Sequence, residues 1–249
     1  MPKYELKRLV KNLFRVDLYW FQELFLYDCL NHKRVIGLFP RQTGKSMTLA
    51  IFCCLEAQTI PDGHIVIIAP TDRQAGEIFL KISGFIMSSK FAEMVTSSSK
   101  REIVFVNGCR ISAYPSGDDG GTIRGLTGDV IIQEEASYIK DSIEAEVITP
   151  MGAATDAKII KIGTPFGKNH YYRSSLDDRW RLHRIGFQDA IDVGQFTLEF
   201  IEEQRNNLTE MQFLTEYDAR FIEDSDSYFK SESIQRAIEE YPMIEMVYA

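Results

Sequence analysis

The sequence predicts an α/β fold in which helices cover both faces of a mainly parallel sheet. Short apolar runs alternate with helical patterns along the chain, and the runs are apolar without interruption. Uninterrupted runs are typical of strands buried on both faces, and strand–helix alternation is typical of parallel sheets. A chain of 249 residues that is 45% hydrophobic and 26% charged can bury such a core without disulfides or metal ions.

The elements of the first half alternate as this fold requires. Pro70 ends the second strand, and Thr71 or Asp72 caps the helix that follows it. The predicted elements are, in order, strand 35–39, helix 44–58, strand 64–69 and helix 72–88.

A hairpin and two further strands complete the predicted sheet. Asn107-Gly108, between apolar stretches 102–106 and 110–114, is a strong hairpin signal. Residues 129–133 and 158–162 are the remaining strands.

The C-terminal region differs in pattern and in charge. Residues 196–217 are helical in pattern, and the polar, acidic stretch that follows resembles a lid or linker. Residues 199–249 carry 13 acids and 4 bases, a net charge of −9, whereas residues 1–198 carry 23 acids and 24 bases, a net charge of +1. The acidic balance therefore belongs to the last fifth of the chain and does not exclude a nucleic-acid partner for the rest. We predict a main domain at 1–220 and an acidic lid or linker at 221–249.

Composition excludes several classes of protein. The sequence has no run of about 18 apolar residues, which argues against a membrane span, and its start has no apolar segment of a secretory signal. The four cysteines form no C-x-x-C pair, so we predict that all are buried small hydrophobes in a reducing compartment. The scattered histidines argue against a zinc site.

A phosphate-binding loop is predicted between the first strand and the first helix. Gly-Lys-Ser at a strand-to-helix turn is the core of a P-loop, whose backbone N–H groups and helix N-terminus face phosphate oxygens. Lys45 can reach the β- and γ-phosphates, and the Ser46 hydroxyl suits Mg²⁺. The usual first glycine is replaced by Phe39, so an ordinary glycine turn with a solvent-facing lysine is the alternative. The candidate ATP-binding residues of this loop are Arg41, Gln42, Thr43, Gly44, Lys45 and Ser46.

A second apolar strand ends in two carboxylates, Glu134 and Glu135. In P-loop ATPases the first acid at this place holds Mg²⁺, often through water, and the next polarises the attacking water. We therefore predict Glu134 on the metal side and Glu135 as the general base. The alternative register, Gln133-Glu134, would put a non-ionisable amide on the metal side, and a solvated acidic strand end is the non-functional interpretation.

Together these segments resemble the ATPase domain of the large terminase subunit, the DNA-packaging motor of tailed bacteriophages and herpesviruses. The family's P-loop also lacks the first glycine and carries an arginine ahead of the Gly-Lys pair, here Arg41. Segments 69–71, 122–129 and 163–171 are similar to further family motifs, in the family's order. Glu134 departs from the family, where aspartate is usual. The resemblance implies a P-loop NTPase fold of the ASCE or RecA-like type with a small helical C-terminal lid.

The resemblance also implies roles for single residues. Arg41 resembles the arginine that stabilises the transferred phosphoryl group in cis, and Arg124 the arginine proposed to act in trans from a neighbouring subunit. The alternative for Arg124 is a loop arginine paired with Asp118 or Asp119. Thr164 and Asn169 resemble the sensor that couples loss of the γ-phosphate to movement, and a Gly-Thr-Pro turn ending a strand is the alternative.

Gln22 lies in an aromatic segment upstream of the first strand. The resemblance implies that this glutamine contacts adenine, and a carboxamide can donate to N7 and accept from N6. Its neighbours Tyr19, Trp20 and Phe21 are predicted to pack in the core.

The function that the resemblance implies is Mg²⁺-dependent ATP hydrolysis that drives double-stranded DNA into a viral procapsid, in the host cytoplasm. The implied partners are DNA, the portal protein, the small terminase subunit and further copies of this chain in a ring. The clustered carboxylates of the family's nuclease domain are not recognised here, so we predict ATPase activity without endonuclease activity. Two alternatives are a superfamily-two-like helicase domain and a nucleotide-binding assembly module with degraded catalysis.

Overall fold

A computed structural model of the chain describes residues 3–222. Its sheet has eight strands in the order β3-β4-β5-β2-β6-β7-β1-β8. The pairs β3–β4 and β4–β5 are antiparallel and all others are parallel. The strands are β1 Arg34–Leu38, β2 His64–Ala69, β3 Val95–Ser98, β4 Glu102–Phe105, β5 Arg110–Pro115, β6 Val130–Glu134, β7 Lys158–Gly163 and β8 Arg181–Arg184.

Ten α-helices are described, of which two are single turns. They are α1 Lys3–Phe14, α2 Trp20–Asn31, α3 Lys45–Ala57, α4 Asp72–Met87, α5 Asp141–Ile143, α6 Thr149–Met151, α7 His170–Ser175, α8 Phe187–Asp192, α9 Leu198–Asn207 and α10 Glu210–Glu216. A π-helical turn, Glu144–Ile148, joins α5 to α6, and short 3₁₀ turns lie at Lys90–Met94 and Ala136–Tyr138.

Alternate residues of the central strands enter different hydrophobic clusters. Ile65 and Ile67 of β2 pack in the large cluster that also holds the buried side chains of α1 to α4. Val66 and Ile68 pack in a second cluster with the segment around the π-helical turn. Because successive side chains of a strand point to opposite faces, both faces of the sheet are covered. The predicted α/β fold with a mainly parallel sheet is confirmed.

A small cluster of its own holds the last helices together. Ala190, Phe196, Ile201 and Phe213 form its buried core. We call residues 187–217, which include α8, α9 and α10, the satellite helices. Their position matters for the site, because two of their side chains reach the phosphate-binding loop.

The predicted elements agree with the observed ones to within a residue or two. Thr71 is the cap of α4, accepting from the Gln74 amide, and Gly108 turns the β4–β5 hairpin at φ 80°. The four cysteines are free and buried, as predicted. Strands β3 and β8 were not predicted, because both are edge strands whose residues are mostly polar.

Two further predictions concern the C-terminal segment and membrane spans. The proposed lid or linker at 221–249 lies outside the described residues, apart from Phe221 and Ile222. Within residues 3–222 every helix is too short or too polar to cross a lipid bilayer.

Candidate nucleotide site

The phosphate-binding loop runs from the end of β1 to the start of α3. Gly44 adopts φ 82°, a left-handed conformation that favours glycine, and a side chain there would collide with the Gln22 amide. Gln42 is also left-handed, at φ 62°. These two positions curl the chain so that Lys45 begins α3 at the carboxyl edge of the sheet.

Lys45 and Glu135 meet across this edge. Their Nζ and Oε1 atoms are 3.8 Å apart, with 10% and 22% of the side chains exposed. The same ammonium lies 3.3 Å from the carbonyl oxygens of Phe39 and Pro40, to which it donates. Burial lowers the pKa of Lys45, and the carboxylates of Glu135 and Glu134 oppose that shift. The predicted convergence of the loop lysine and the strand-end acid is therefore present.

A cavity of about 550 Å³ lies over these two residues, a volume within the ordinary range for ligand sites. Its lining includes five of the predicted nucleotide residues together with both acids: Arg41, Gln42, Gly44, Lys45, Ser46, Glu134 and Glu135. Thr43 is buried instead, its hydroxyl donating to the Pro40 carbonyl at 2.8 Å. The alternative interpretation, an ordinary turn with a solvent-facing lysine, is wrong, because the Lys45 side chain is only 10% exposed.

The two acids at the end of β6 differ in environment. Burial, followed by repulsion from Glu135, raises the pKa of Glu134 from 4.5 to about 7. Gln133 does not line the cavity, and its amide donates to the Glu144 carboxylate at 2.7 Å. This arrangement matches the register in which Glu134 and Glu135 are the functional pair. Glu135 itself stands at φ 50°, which turns the chain out of the strand.

The two candidate arginines lie in different places. Arg41 lines the cavity over Lys45 and Glu135, and its Nε donates to the Glu216 carboxylate at 2.6 Å. Arg124 lies outside that cavity and pairs with Glu146 at 3.6 Å. The alternative pairing of Arg124 with Asp118 or Asp119 is wrong in this structure, because the π-helical turn brings Glu146 closer. A contact in cis with a nucleotide in this cavity is therefore not available to Arg124 as it stands.

The candidate coupling residues are joined to Glu135 by a chain of hydrogen bonds. The Thr164 amide donates to Glu135 Oε2 at 3.4 Å. Ser137 connects the next two steps: its hydroxyl donates to the Thr164 carbonyl at 2.7 Å, and its carbonyl accepts from Asn169 Nδ2 at 2.6 Å. The Asn169 side chain also caps α7. Thr164 therefore contacts the Glu135 carboxylate directly, and Asn169 contacts the backbone of Ser137, two residues further along the chain.

Gly163, the last residue of β7, sets the distance between this strand and Glu135. A Cβ at this position would lie 3.0 Å from the Glu135 Cα and 3.2 Å from the Ala136 nitrogen, closer than nearly all real contacts. The backbones of β7 and of residue 135 are thus in direct contact.

Gln22 of α2 supports the phosphate-binding loop by a hydrogen bond to its backbone. It is 3% exposed, its Nε2 donates to the Thr43 carbonyl at 3.0 Å, and its Oε1 accepts from the Tyr19 amide at 3.1 Å. Phe21 is buried as predicted, but Trp20 is 46% exposed and packs only edge-on against Phe21. The predicted core packing of Trp20 is therefore wrong. The adenine role of Gln22 stays a prediction.

Two important groups escaped the sequence reasoning. Tyr171, fully buried, reaches the carbonyl oxygens of Gly37 and Gly163 at 2.5 and 3.1 Å, and so joins β1 to β7 just below the loop. Lys161 of β7 is 2% exposed, and its ammonium pairs with the carboxylate of Glu144 at 2.7 Å. Glu144 is the first residue of the π-helical turn. A lysine inside an apolar central strand was the available signal, because a buried lysine requires a partner.

Comparison with known protein families identifies the family to which the chain belongs. The family described as terminase large subunit, T4likevirus-type, N-terminal, matches residues 36–236. The chain belongs to this family. The large terminase subunit of Thermus phage G20c is 27% identical over an alignment of 234 positions, and the match covers 79% of this chain and 47% of that protein. This terminase chain therefore spans about half the length of the curated relatives it matches.

Solved structures share the fold. The large terminase ATPase domain of Thermus phage P74-26 matches with a TM-score of 0.73 and 22% identity, over 87% of this chain and 99% of that one. A large terminase from a thermophilic bacteriophage, solved in complex with ADP, matches with a TM-score of 0.67 and 11% identity, over 82% of this chain and 54% of that one. At these identities the likeness establishes the architecture of this terminase domain.

Proposed function

We propose that this chain hydrolyses ATP as the motor domain of a large terminase, and that hydrolysis drives double-stranded DNA into a viral procapsid. One observation carries the proposal. The ammonium of Lys45 and the carboxylate of Glu135 face each other at 3.8 Å over a cavity that the phosphate-binding loop also lines. A cation for the phosphates and a base for the attacking water are thus available in one place.

Several charged residues have a part in the proposed reaction. Lys45 and the loop's N–H groups bind the β- and γ-phosphates, and Glu135 accepts the proton of the attacking water. Arg41 neutralises charge that develops on the γ-phosphoryl group, an effect that can be worth about 10³ to 10⁵ in rate. Arg124 supplies the same charge to the site of a neighbouring subunit.

Ser46 and Glu134 are the residues that would hold Mg²⁺. Hydroxyl and carboxylate oxygens are the ligands this ion prefers, and it commonly keeps several waters, which suits the longer side chain of Glu134. When bound, the ion would neutralise charge on the phosphate oxygens.

Gln22 is proposed to contact adenine while it supports the loop. The bonds to Thr43 and Tyr19 use one hydrogen of its amide nitrogen and one lone pair of its oxygen, and a carboxamide has one more of each. Thr164 and Asn169 are proposed to pass the loss of the γ-phosphate from Glu135 to α7.

The wider setting is proposed from family membership. The partners are double-stranded DNA, the portal protein, the small terminase subunit and further copies of the chain in a ring, and the place of action is the host cytoplasm. The proposal includes ATP hydrolysis and no DNA cleavage by residues 1–249. Lys11 pairs with Asp17 and Arg101 with Asp72, so we do not propose these two basic residues as the first contacts with DNA.

Phosphate release by the wild type and by Glu135→Ala tests the proposal. The wild type is expected to release phosphate from ATP in the presence of Mg²⁺, at a rate at least about a hundred-fold above the variant, the usual effect of a general base. Equal rates would leave the assembly module with degraded catalysis as the better interpretation. The helicase alternative is not favoured, because the match to the terminase family covers residues 36–236.

A further inference from the structure

The long helix α4 contributes a wall of the proposed nucleotide cavity that the sequence did not indicate. Lys81 and Phe85 of this helix line the cavity together with Met47 of α3. Because they are four residues apart, Lys81 and Phe85 are neighbours on one face of the helix. That face is fixed in place, since Phe85 stacks on Phe14 at 5.3 Å between ring centres and Ile82 is buried in the large hydrophobic cluster. Lys81 itself is exposed, so burial does not restrict its ammonium to one position.

Lys81 is the cation of this cavity that has no acidic partner within the described part of the chain. Three cations and two carboxylates line the cavity. Arg41 donates to the Glu216 carboxylate, and Lys45 faces Glu135 at 3.8 Å. Lys81 forms no ion pair with any of the residues from 3 to 222. A positive charge without a partner beside a phosphate-binding loop is suited to an anionic ligand.

The charge of Lys81 acts on the side of the cavity where the second strand-end acid lies. Burial raises the pKa of Glu134, and repulsion from the neighbouring Glu135 adds to the rise. The charge of Lys45 opposes this rise, and so does the charge of Lys81. Glu77, one helical turn before Lys81 on α4, acts on the same group with the opposite sign. The face of α4 that carries Lys81 is therefore directed towards the end of β6.

We propose that Lys81 is a further nucleotide-binding residue of this domain. Its ammonium binds the phosphate oxygens that face Ser46 and Glu134, the two residues proposed to hold Mg²⁺. A lysine is a point charge with three donors on a flexible stem, so it can reach these oxygens from an exposed position. Since these are also the oxygens that Mg²⁺ would neutralise, Lys81 contributes most to the binding of nucleotide that carries no ion. This inference rests on the proposed function, which makes the cavity the ATP site.

Isothermal titration of ATPγS tests this role in wild type, Lys81→Met, Lys81→Arg and Lys45→Ala, in EDTA and in Mg²⁺. Lys81→Met keeps an apolar stem and removes the charge. It is expected to weaken the binding of ATPγS about ten-fold in EDTA, the size of one hydrogen bond to a charged group, and about three-fold in Mg²⁺, the size of one exposed ion pair. Lys81→Arg keeps the charge and is expected to bind as the wild type does. Lys90→Met, at a second exposed lysine just beyond the same helix, is the matched control and is expected to change neither affinity.

The outcomes separate this inference from the proposed function. If Lys45→Ala loses affinity and Lys81→Met does not, the cavity is the nucleotide site and Lys81 has no part in it. A loss for Lys81→Met that is as large in Mg²⁺ as in EDTA would refute the contact with the oxygens that face Ser46 and Glu134. An equal loss for Lys90→Met, or for Lys81→Arg, would point to the general field or to the shape of the helix and would overturn the contact. If Lys45→Ala binds ATPγS as tightly as the wild type, the proposed function of the cavity fails, and this inference with it.

Discussion

Replacement of Lys161 by methionine is expected to destabilise the chain by about 3 to 5 kcal/mol, because a buried carboxylate loses its cation. Lys161 donates to Glu144 at 2.7 Å and to Ser174 at 3.1 Å, and its Nζ lies 3.0 Å from His170 Nδ1. It also lies 4.9 Å from the centre of the Trp180 ring. Burial lowers the pKa of Lys161, and Glu144 opposes that shift, which is the expected signature of a charge kept in the core by one acid.

Urea unfolding at about pH 7.5, followed by tryptophan fluorescence, measures this loss. Lys140→Met is the matched control, since Lys140 pairs with Asp118 at the same 2.7 Å but with 54% and 95% of the side chains exposed. Exposed pairs contribute little to stability because water screens them, so the control is expected to lose little. The double variant Lys161→Met/Glu144→Gln is expected to recover most of the loss, because a buried pair replaced as a unit is often close to neutral. A loss no larger than that of the control, or a double variant as unstable as the single one, would refute the reasoning.

Three further predictions concern the site. Glu134→Gln is expected to raise the melting temperature at pH 8 in EDTA, and to raise it progressively less as the pH falls from 7 to 4.5. Burial and Glu135 raise the pKa of Glu134 to about 7, so the folded chain is more stable when this carboxyl is neutral. That stability is present at low pH and is lost as the pH rises through 7. A constant difference from pH 8 to 4.5 would contradict this. Mixtures of Arg124→Ala and Lys45→Ala subunits are expected to regain ATPase activity, because each supplies what the other lacks; no rescue in an intact assembly argues against action in trans. Gln22→Ala is expected to weaken the binding of ATP more than the binding of ribose triphosphate. An equal loss of affinity for both ligands would mean that Gln22 only supports the loop and does not contact adenine.

The central strands and the loop were predictable because their signals are local. An uninterrupted apolar run followed by Gly-Lys-Ser fixes both the strand and the turn, and the pair Glu134-Glu135 ends a run of the same kind. The sheet then brings the loop and the acids together, since β1 and β6 flank β7 as parallel strands whose carboxyl ends share one edge.

The partners of the charged groups were not predictable, because they depend on contacts between distant segments. Nothing near Arg41 in the sequence indicates Glu216, which arrives through the packing of the satellite helices. Glu146, the partner of Arg124, depends on a π-helical turn that no simple periodicity indicates. The half-exposed Trp20 shows the same limit, because an aromatic cluster in the sequence does not say which ring faces inward.

Gly163 has a mechanical consequence for the end of β7. Because a missing side chain lets the end of β7 rest directly on the backbone of residue 135, no side chain separates Glu135 from the segment that begins with Thr164. Protein interiors have low compressibility and transmit strain, so a shift of the backbone at residue 135 is expected to move the end of β7 as well. A methyl group at this single position would push the two backbones apart and would loosen the link that we propose between Glu135 and Thr164.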